Sequence, residues 1–436
     1  MIAPEAEHIP KKFDRVRVLQ RKLYRAAKEN PNRTFGILYD KICRMEVLER
    51  AWQEVRQNQG SAGIDQVTIQ EVEAAGVEKL LAEIQQELKE ERYEAPPVRR
   101  VYIPKPGKAT EKRPLGIPTV KDRIVQTATK LVIEPLFEAS FLPCSYGFRP
   151  KRSQHQAHAK VQKGVIEGYR YVVDVDLKSY FNTIPHERLL ACIRKRVGDP
   201  KVLRLIRHWL KAGVLDQGVY HATEEGVPQG GPLSPLLSNV YLHVIDKIWT
   251  EKYPETQMIR FADDQLVLCK RDPEKYMEHL AKWLAWHGLK INTEKSRIVH
   301  ARDGFDFLGQ HFRLKPSRKW KSWLFCYRWP SKKSVKAIKE KLRNAIGWDD
   351  IYDLGTKIAV VNPILRGWCE YHKYSNAHKH FKAVDAYVHT RLVGFMRRKY
   401  RWRGSGYRKA PRSFFEKLGL YPLHGKIRRW SLQATV

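Results

Sequence analysis

Two adjacent carboxylates, Asp263 and Asp264, stand between short apolar runs in the stretch Met258-Ile-Arg-Phe-Ala-Asp-Asp-Gln-Leu-Val-Leu-Cys269. Neighbouring carboxylates repel each other and neither is buried cheaply, so the pair has no packing use. A hard divalent cation removes that penalty and keeps room for substrate phosphates. For an isolated Asp-Asp, a solvated turn is the plain alternative. A second acidic segment, Tyr171-Val-Val-Asp-Val-Asp-Leu177, puts Asp174 and Asp176 on one side of an extended chain. Carboxylates at two strand ends are what a shared metal site for phosphoryl transfer needs. Asp174 reads equally well as an ion-pair partner behind that site.

The elements that must position these groups follow from periodicity. The runs flanking Asp263 predict a strand, a turn and a second strand. Helical spacing over residues 1–57 ends at the glycine-bearing loop Asn58–Asp65, and a further helix is expected over Ile69–Lys89. Pro96–Pro118 reads as a hairpin carrying Arg99, Arg100, Lys105, Lys108, Lys112 and Arg113. Those cations either protect a sheet edge or hold a triphosphate. Thr119–Phe141 reads as a helix, and 188–220 as helical and basic. Glu225-Gly-Val-Pro-Gln-Gly-Gly-Pro-Leu-Ser-Pro235 is a loop before an apolar helix, where bare glycines let backbone approach an anion closely. Helices are also expected over Pro273–Trp286, Ser334–Ile346, Ile351–Tyr374 and His378–Arg401. From Pro316 to Lys333 the composition turns cationic and aromatic, with Trp320, Trp323, Tyr327 and Trp329. Such residues either stack bases and hold phosphates or simply pack.

Across 436 residues, 81 Lys+Arg against 47 Asp+Glu leave a formal charge of +34, with 11% aromatics. This is the electrostatic footprint of a nucleic-acid binder. An anionic membrane is the competing partner, but no apolar run has the length to span a bilayer. Six scattered cysteines without a Cys-x-x-Cys pair argue against zinc and disulfides and for a reducing interior.

Seven segments in order resemble the reverse transcriptases encoded by group II introns. They are Arg113–Gln126, Asp176–Phe181, Gly226–Pro235, Phe261–Asp264, Gly288–Ser296, Phe307–Gly309 and Asn362–Tyr371. The departures are Phe261, where many relatives have Tyr, and a tail without a His-Asn-His or Cys-pair nuclease region, as in the shorter, group IIC-like branch.

The resemblance implies an α+β right hand: fingers, an antiparallel-sheet palm, an α-helical thumb and a basic C-terminal region. Its expected divisions are an N-terminal extension over 1–57, fingers and palm over 58–315, a thumb or maturase domain over 316–400, and a DNA-binding region over 401–436. Asp176, Asp263 and Asp264 would be catalytic and would hold two Mg²⁺, or Mn²⁺ as a substitute, with the Leu177 carbonyl as a further ligand. Lys105, Arg113, Phe181, Gln229 and Lys295 would contact the dNTP, although a lone Lys such as Lys295 is as readily an ion-pair partner. Arg366, Trp368, Arg397, Arg398 and Lys399 would touch nucleic acid. Expected partners are group II intron RNA, an RNA template with a DNA primer, target DNA and dNTPs, with no membrane. The expected location is the bacterial cytosol, at the nucleoid. The implied function is RNA-directed DNA synthesis with maturase activity and support of retrohoming. The alternatives are a splicing cofactor with little polymerase activity, or a domesticated enzyme of repair or phage defence.

Overall fold

The computed structural model describes residues 14–105, 108–317, 322–347 and 351–430, without the side chains of 105 and 108–111. Trp320 and the side chain of Lys105 therefore lie outside the described residues. Five helices come first: α1 (Arg15–Glu29), α2 (Tyr39–Ile42), α3 (Met45–Asn58), α4 (Ile69–Ala75) and α5 (Val77–Lys89). The single helix expected over 69–89 is in fact two. Gly76 takes φ +100°, which a side chain resists, and it ends one helix and begins the next. At the start of α4, Thr68 and Glu71 form a reciprocal capping box.

The antiparallel hairpin β1 (Val98–Lys105) and β2 (Lys108–Ile117) leads into α6 (Val120–Glu138), whose N-cap is Thr119. The chain continues through α7 (Gln154–Ile166), β3 (Tyr171–Val175), α8 (His186–Arg194) and α9 (Pro200–Lys211). Buried Asp122 of α6 accepts from Trp209 Nε1 of α9 at 2.7 Å and from Gln126 Nε2 at 2.9 Å. That ties the helix after the hairpin to the body of the domain.

Helix was expected up to residue 220, but β4 (Val214–Asp216) and β5 (Val219–His221) fold as a small hairpin. Gln217 and Gly218 both have positive φ, the two-residue turn that matches strand twist. β4 pairs in parallel with β1, giving the sheet order β2-β1-β4-β5.

The palm follows: α10 (Ser234–Lys252), β6 (Gln257–Phe261), β7 (Asp264–Cys269), α11 (Pro273–Trp286) and β8 (Arg297–His300). Its four strands run in the order β6-β7-β3-β8, all antiparallel. The third sheet holds β9 (Phe305–Phe307), β10 (Gln310–Pro316) and β11 (Leu324–Pro330). The compositional change at 316 thus falls inside the β10–β11 hairpin. Leu314 and Cys326, from either side of it, share one core with palm residues Leu266 and Leu268.

The last helices are α12 (Lys332–Ile346), α13 (Leu354–His372), α14 (His378–Lys399) and α15 (Arg412–Lys417). They form a separate apolar core that also takes in Ala410, Phe415 and Leu423, so the basic tail packs on the thumb. The N-terminal helices instead share the fingers–palm core, where Leu23 and Val47 join Ile124 and Leu131. Arg196 fastens them. Its guanidinium donates to the carbonyls of Ala27, Asn30, Pro31 and Arg33 at 2.6–3.2 Å, covering the end of α1. Its own carbonyl accepts from Phe35 N at 2.9 Å.

Candidate active site

The β6–β7 turn holds Ala262 and Asp263 between the paired residues Phe261 and Asp264. Ala262 has φ +57°, a left-handed conformation that costs a residue with a side chain. Arg260, 0% exposed, supports it from below. Its Nη1 donates to the Ala262 carbonyl at 3.1 Å and to Asn239 Oδ1 at 2.8 Å. Nε and Nη2 grip the two oxygens of buried Asp246 at 2.8 and 2.5 Å. Asn239 Nδ2 in turn donates to the Gly147 carbonyl at 2.8 Å. Gly147 lies against the turn so closely that a methyl there would collide with Ala262 N and stand 2.9 Å from the Phe261 carbonyl carbon.

Asp176 lies one residue beyond β3. Its N–H donates to Ser296 Oγ at 3.1 Å, and its carbonyl accepts from Asn292 N at 2.8 Å. Lys295 Nζ stands 3.4 Å from Asp176 Oδ2. Leu177 bridges Ile291 through its neighbours, because Lys178 N donates to Lys290 O at 2.8 Å. In such an antiparallel bridge, the middle residue's own carbonyl faces the opposite edge, here the β7 side. Asp174 pairs with Arg297 Nε at 3.1 Å.

Electrostatics bring the three aspartates into one neighbourhood. Burial pushes the Asp264 carboxyl up to about 7, and the charges of Asp263, Asp174 and Asp176 add to the rise. Burial also raises Asp263, with Arg113 and Arg260 pulling the other way. Burial is the main cause in both, and a hard cation, which takes carboxylate oxygens as donors, removes that penalty. Among the described residues, no three such side chains already converge closely enough to hold an ion. Asp176 has Lys295 as its present partner, which a metal would displace.

The fingers reach this floor through the glycine loop. Gly116 N of β2 donates to the Gln229 carbonyl at 2.7 Å, and Gly230 (φ +119°) passes so close to the Gly116 carbonyl that a side chain would strike it. Phe181, in a short 3₁₀ turn over Tyr180–Asn182, accepts at its carbonyl from Val227 N at 2.6 Å. Phe181, Gln229, Gly116 and Arg100 line one groove. Arg113 lies exposed on β2.

The residues expected to contact nucleic acid have protein partners as well. Trp368 Nε1 donates to Ser334 Oγ at 3.1 Å, and its ring packs on Phe381 and His372. The Arg366 guanidinium lies 5.1 Å from the Tyr421 ring centroid, and Lys399 Nζ donates to the Tyr352 carbonyl at 2.8 Å. Arg397, Arg398 and Lys399 form the last turn of α14.

Sequence reasoning passed over Arg260, Asp246, Asn239 and Gly147, although a lone Arg within an apolar strand was a signal. It also missed a joint between palm and thumb. Leu308 and Gly309 both have positive φ, and the Leu308 carbonyl accepts from Tyr371 OH of α13 at 2.7 Å. His158 Nε2 of α7 reaches the same oxygen at 3.3 Å.

A strained hairpin bearing paired aspartates, beside a third at an adjacent strand end, defines the palm of a right-hand nucleic-acid polymerase. Residues 103–312 match the family model for reverse transcriptase (RNA-dependent DNA polymerase), and 335–414 that for the group II intron maturase-specific domain. Protein YkfC of Escherichia coli (strain K12) is 35% identical over 346 residues, 69% of this chain and 89% of its own length. The group II intron-encoded protein LtrA of Lactococcus lactis subsp. cremoris is 39% identical over 223 residues, 51% of this chain and 36% of LtrA. An uncharacterized 91 kDa protein in a cob intron of Schizosaccharomyces pombe is 31% identical over 229 residues, 52% of this chain and 28% of that protein. The chain belongs to the group II intron reverse transcriptase–maturase family and is an RNA-directed DNA polymerase of a divalent-metal-dependent class. Among the described residues, no helix is long and apolar enough to cross a membrane.

Proposed function

We propose that this chain extends a DNA primer on an RNA template using Mg²⁺, binds its group II intron RNA to assist splicing, and supports retrohoming into target DNA. The observation that carries the polymerase reading is the strained β6–β7 turn that presents Asp263 and Asp264, both raised by burial, beside Asp176 at the end of β3. Asp176, Asp263, Asp264 and the Leu177 carbonyl would hold two ions, for which Mn²⁺ can substitute. When bound, they supply Lewis-acid polarisation of phosphoryl oxygens.

The primer 3′-oxygen attacks the α-phosphorus of the dNTP, and the bond to pyrophosphate breaks. Arg113 and Lys105 hold the triphosphate, and Lys295 gives a proton to the leaving oxygen. Phe181 crowds the sugar 2′ position against ribonucleotides, and Gln229 positions the incoming nucleotide. Arg366, Trp368, Arg397, Arg398 and Lys399 serve RNA on the thumb, which runs from Lys332 through the packed C-terminal segment. The work takes place in the bacterial cytosol, at the nucleoid.

Primer extension on an annealed RNA template with dNTPs and Mg²⁺, comparing the parent with Asp263→Ala, tests the reading. Extension should vanish in the variant while RNA binding persists. No extension by the parent over several templates and salts would refute it.

A further inference from the structure

The β10–β11 hairpin has two unlike faces. Inward, Phe312, Leu314 and Cys326 join the palm core. Outward, the register pairs His311 with Trp329, Arg313 with Tyr327, and Lys315 with Phe325. Each rung sets a basic side chain opposite an aromatic one. The rungs recur every second residue, about 6.8 Å apart along the strands. That is close to the stride of an extended, unpaired nucleotide chain.

The rings form one outer layer in which Tyr327 and Trp329 are half-buried and Phe325 is exposed. The Phe325 and Tyr327 centroids are 4.9 Å apart, His311 lies 5.0 Å from Trp329, and Lys315 Nζ is 5.4 Å from the Trp329 centroid. Phe325 is 37% exposed, and Trp323 near the hairpin tip is 72% exposed. Arg313 Nε is anchored on the Arg302 carbonyl at 2.9 Å. β11 is an edge strand, and a groove of about 540 Å³ separates this face from His378, Lys379 and His380 at the start of α14. One carboxylate belongs to the surface: Asp306 accepts from His311 Nδ1 at 2.6 Å, which limits the cationic stripe to Arg313, Lys315 and the thumb wall.

Sheet stability alone accounts for cation–aromatic pairs across strands. It does not account for large rings left exposed beside a basic groove, in a chain of formal charge +34. Bases within a duplex are already stacked, so exposed rings beside cations select an unpaired strand.

We propose that the outer face of the β10–β11 hairpin, with the thumb residues across the groove, binds an unpaired segment of RNA. Bases stack on Phe325, Tyr327 and Trp329, and phosphates lie along Arg313, Lys315 and Lys379. This rests on the intron-RNA reading above, because the maturase-specific match begins at residue 335, directly after the hairpin.

The test is photo-cross-linking of short unpaired RNA carrying 4-thiouridine to the full chain, with peptide mapping. The hairpin peptide containing residues 324–330 should carry the adduct, and its yield should saturate with RNA concentration. Trp329→Ala should raise the half-saturating concentration about tenfold. Arg313→Gln with Lys315→Gln, a surface change that spares the core, should reduce the salt slope of binding by about 1.4. Adducts confined to other peptides, or unchanged half-saturation and salt slope in these variants, would overturn the proposal. Equal saturation by DNA of the same sequence would overturn the assignment to RNA. Primer extension on a preannealed template runs in parallel: if it persists while the hairpin adduct fails, this inference falls and the polymerase reading stands.

Discussion

Replacing Arg260 with Met removes four hydrogen bonds at once from the interior beneath the β6–β7 turn. The two Asp246 oxygens lose their partner where no water reaches them. Removing one member of a buried ion pair costs about 3–5 kcal/mol, mostly from the charge left behind. For a unit of this size, that lowers the melting temperature by roughly 10 °C. The Ala262 carbonyl also loses its donor, so nothing in this network opposes relaxation of the strained φ. A shift of about 1 Å in a catalytic group costs on the order of 100-fold in rate.

Arg260→Met paired with Asp246→Leu separates the two effects. Removing both charges should restore most of the stability, because a buried pair contributes little net against an apolar substitute. The rate should stay low, because Ala262 still lacks its donor. Thermal melting and single-turnover primer extension read the two quantities independently. A single variant within 1 kcal/mol of the parent, or a double variant with parental turnover, would refute the reasoning.

Other perturbations give equally definite outcomes. Gly147→Ala presses a methyl onto backbone atoms of the turn, which cannot swing aside as a side chain can; extension should fall about 100-fold, with circular dichroism unchanged. Tyr371→Phe leaves the Leu308 carbonyl to His158 alone, a loss of about 1 kcal/mol; products under single-encounter conditions should shorten while incorporation of the first nucleotide persists. In metal-free protein, Asp264 is raised from the usual carboxylate range to about 7, so the folded state holds its proton more tightly than the unfolded chain. Its contribution to stability is full below about pH 4 and is lost as pH rises through 7. Asp264→Asn should therefore raise the melting temperature more at pH 8 than at pH 5, and equal shifts at both would contradict the assignment.

The parts of the molecule legible in the sequence are those where local pattern and chemistry coincide. Apolar runs around Asp263 predict the β6–β7 hairpin because strand, turn and strand lie within a dozen residues. Thr119 predicts a helix start because its hydroxyl does the capping itself. The β4–β5 hairpin was missed because its strands are only three residues each and continue a basic helical stretch. Gly76 was passed over because glycine inside a helical pattern is often tolerated. The support of the turn was hidden for another reason. Arg260 finds its partners 14 and 21 residues away on the buried side of α10, and Tyr371 meets Leu308 from 63 residues away. No periodicity records such a meeting; only the packed fold does.

The clasp made by Arg196 bears on how the chain is born. Helix α1 leaves the ribosome well before Arg196, whose side chain, 163–169 residues downstream, carries the donors for its terminal carbonyls. At about 5–20 residues per second, the helix waits roughly ten to thirty seconds for them. Over that interval its apolar side, with Val16, Leu23 and Ala27, has no finished core to enter. A segment made well before Arg196 is therefore secured only after it.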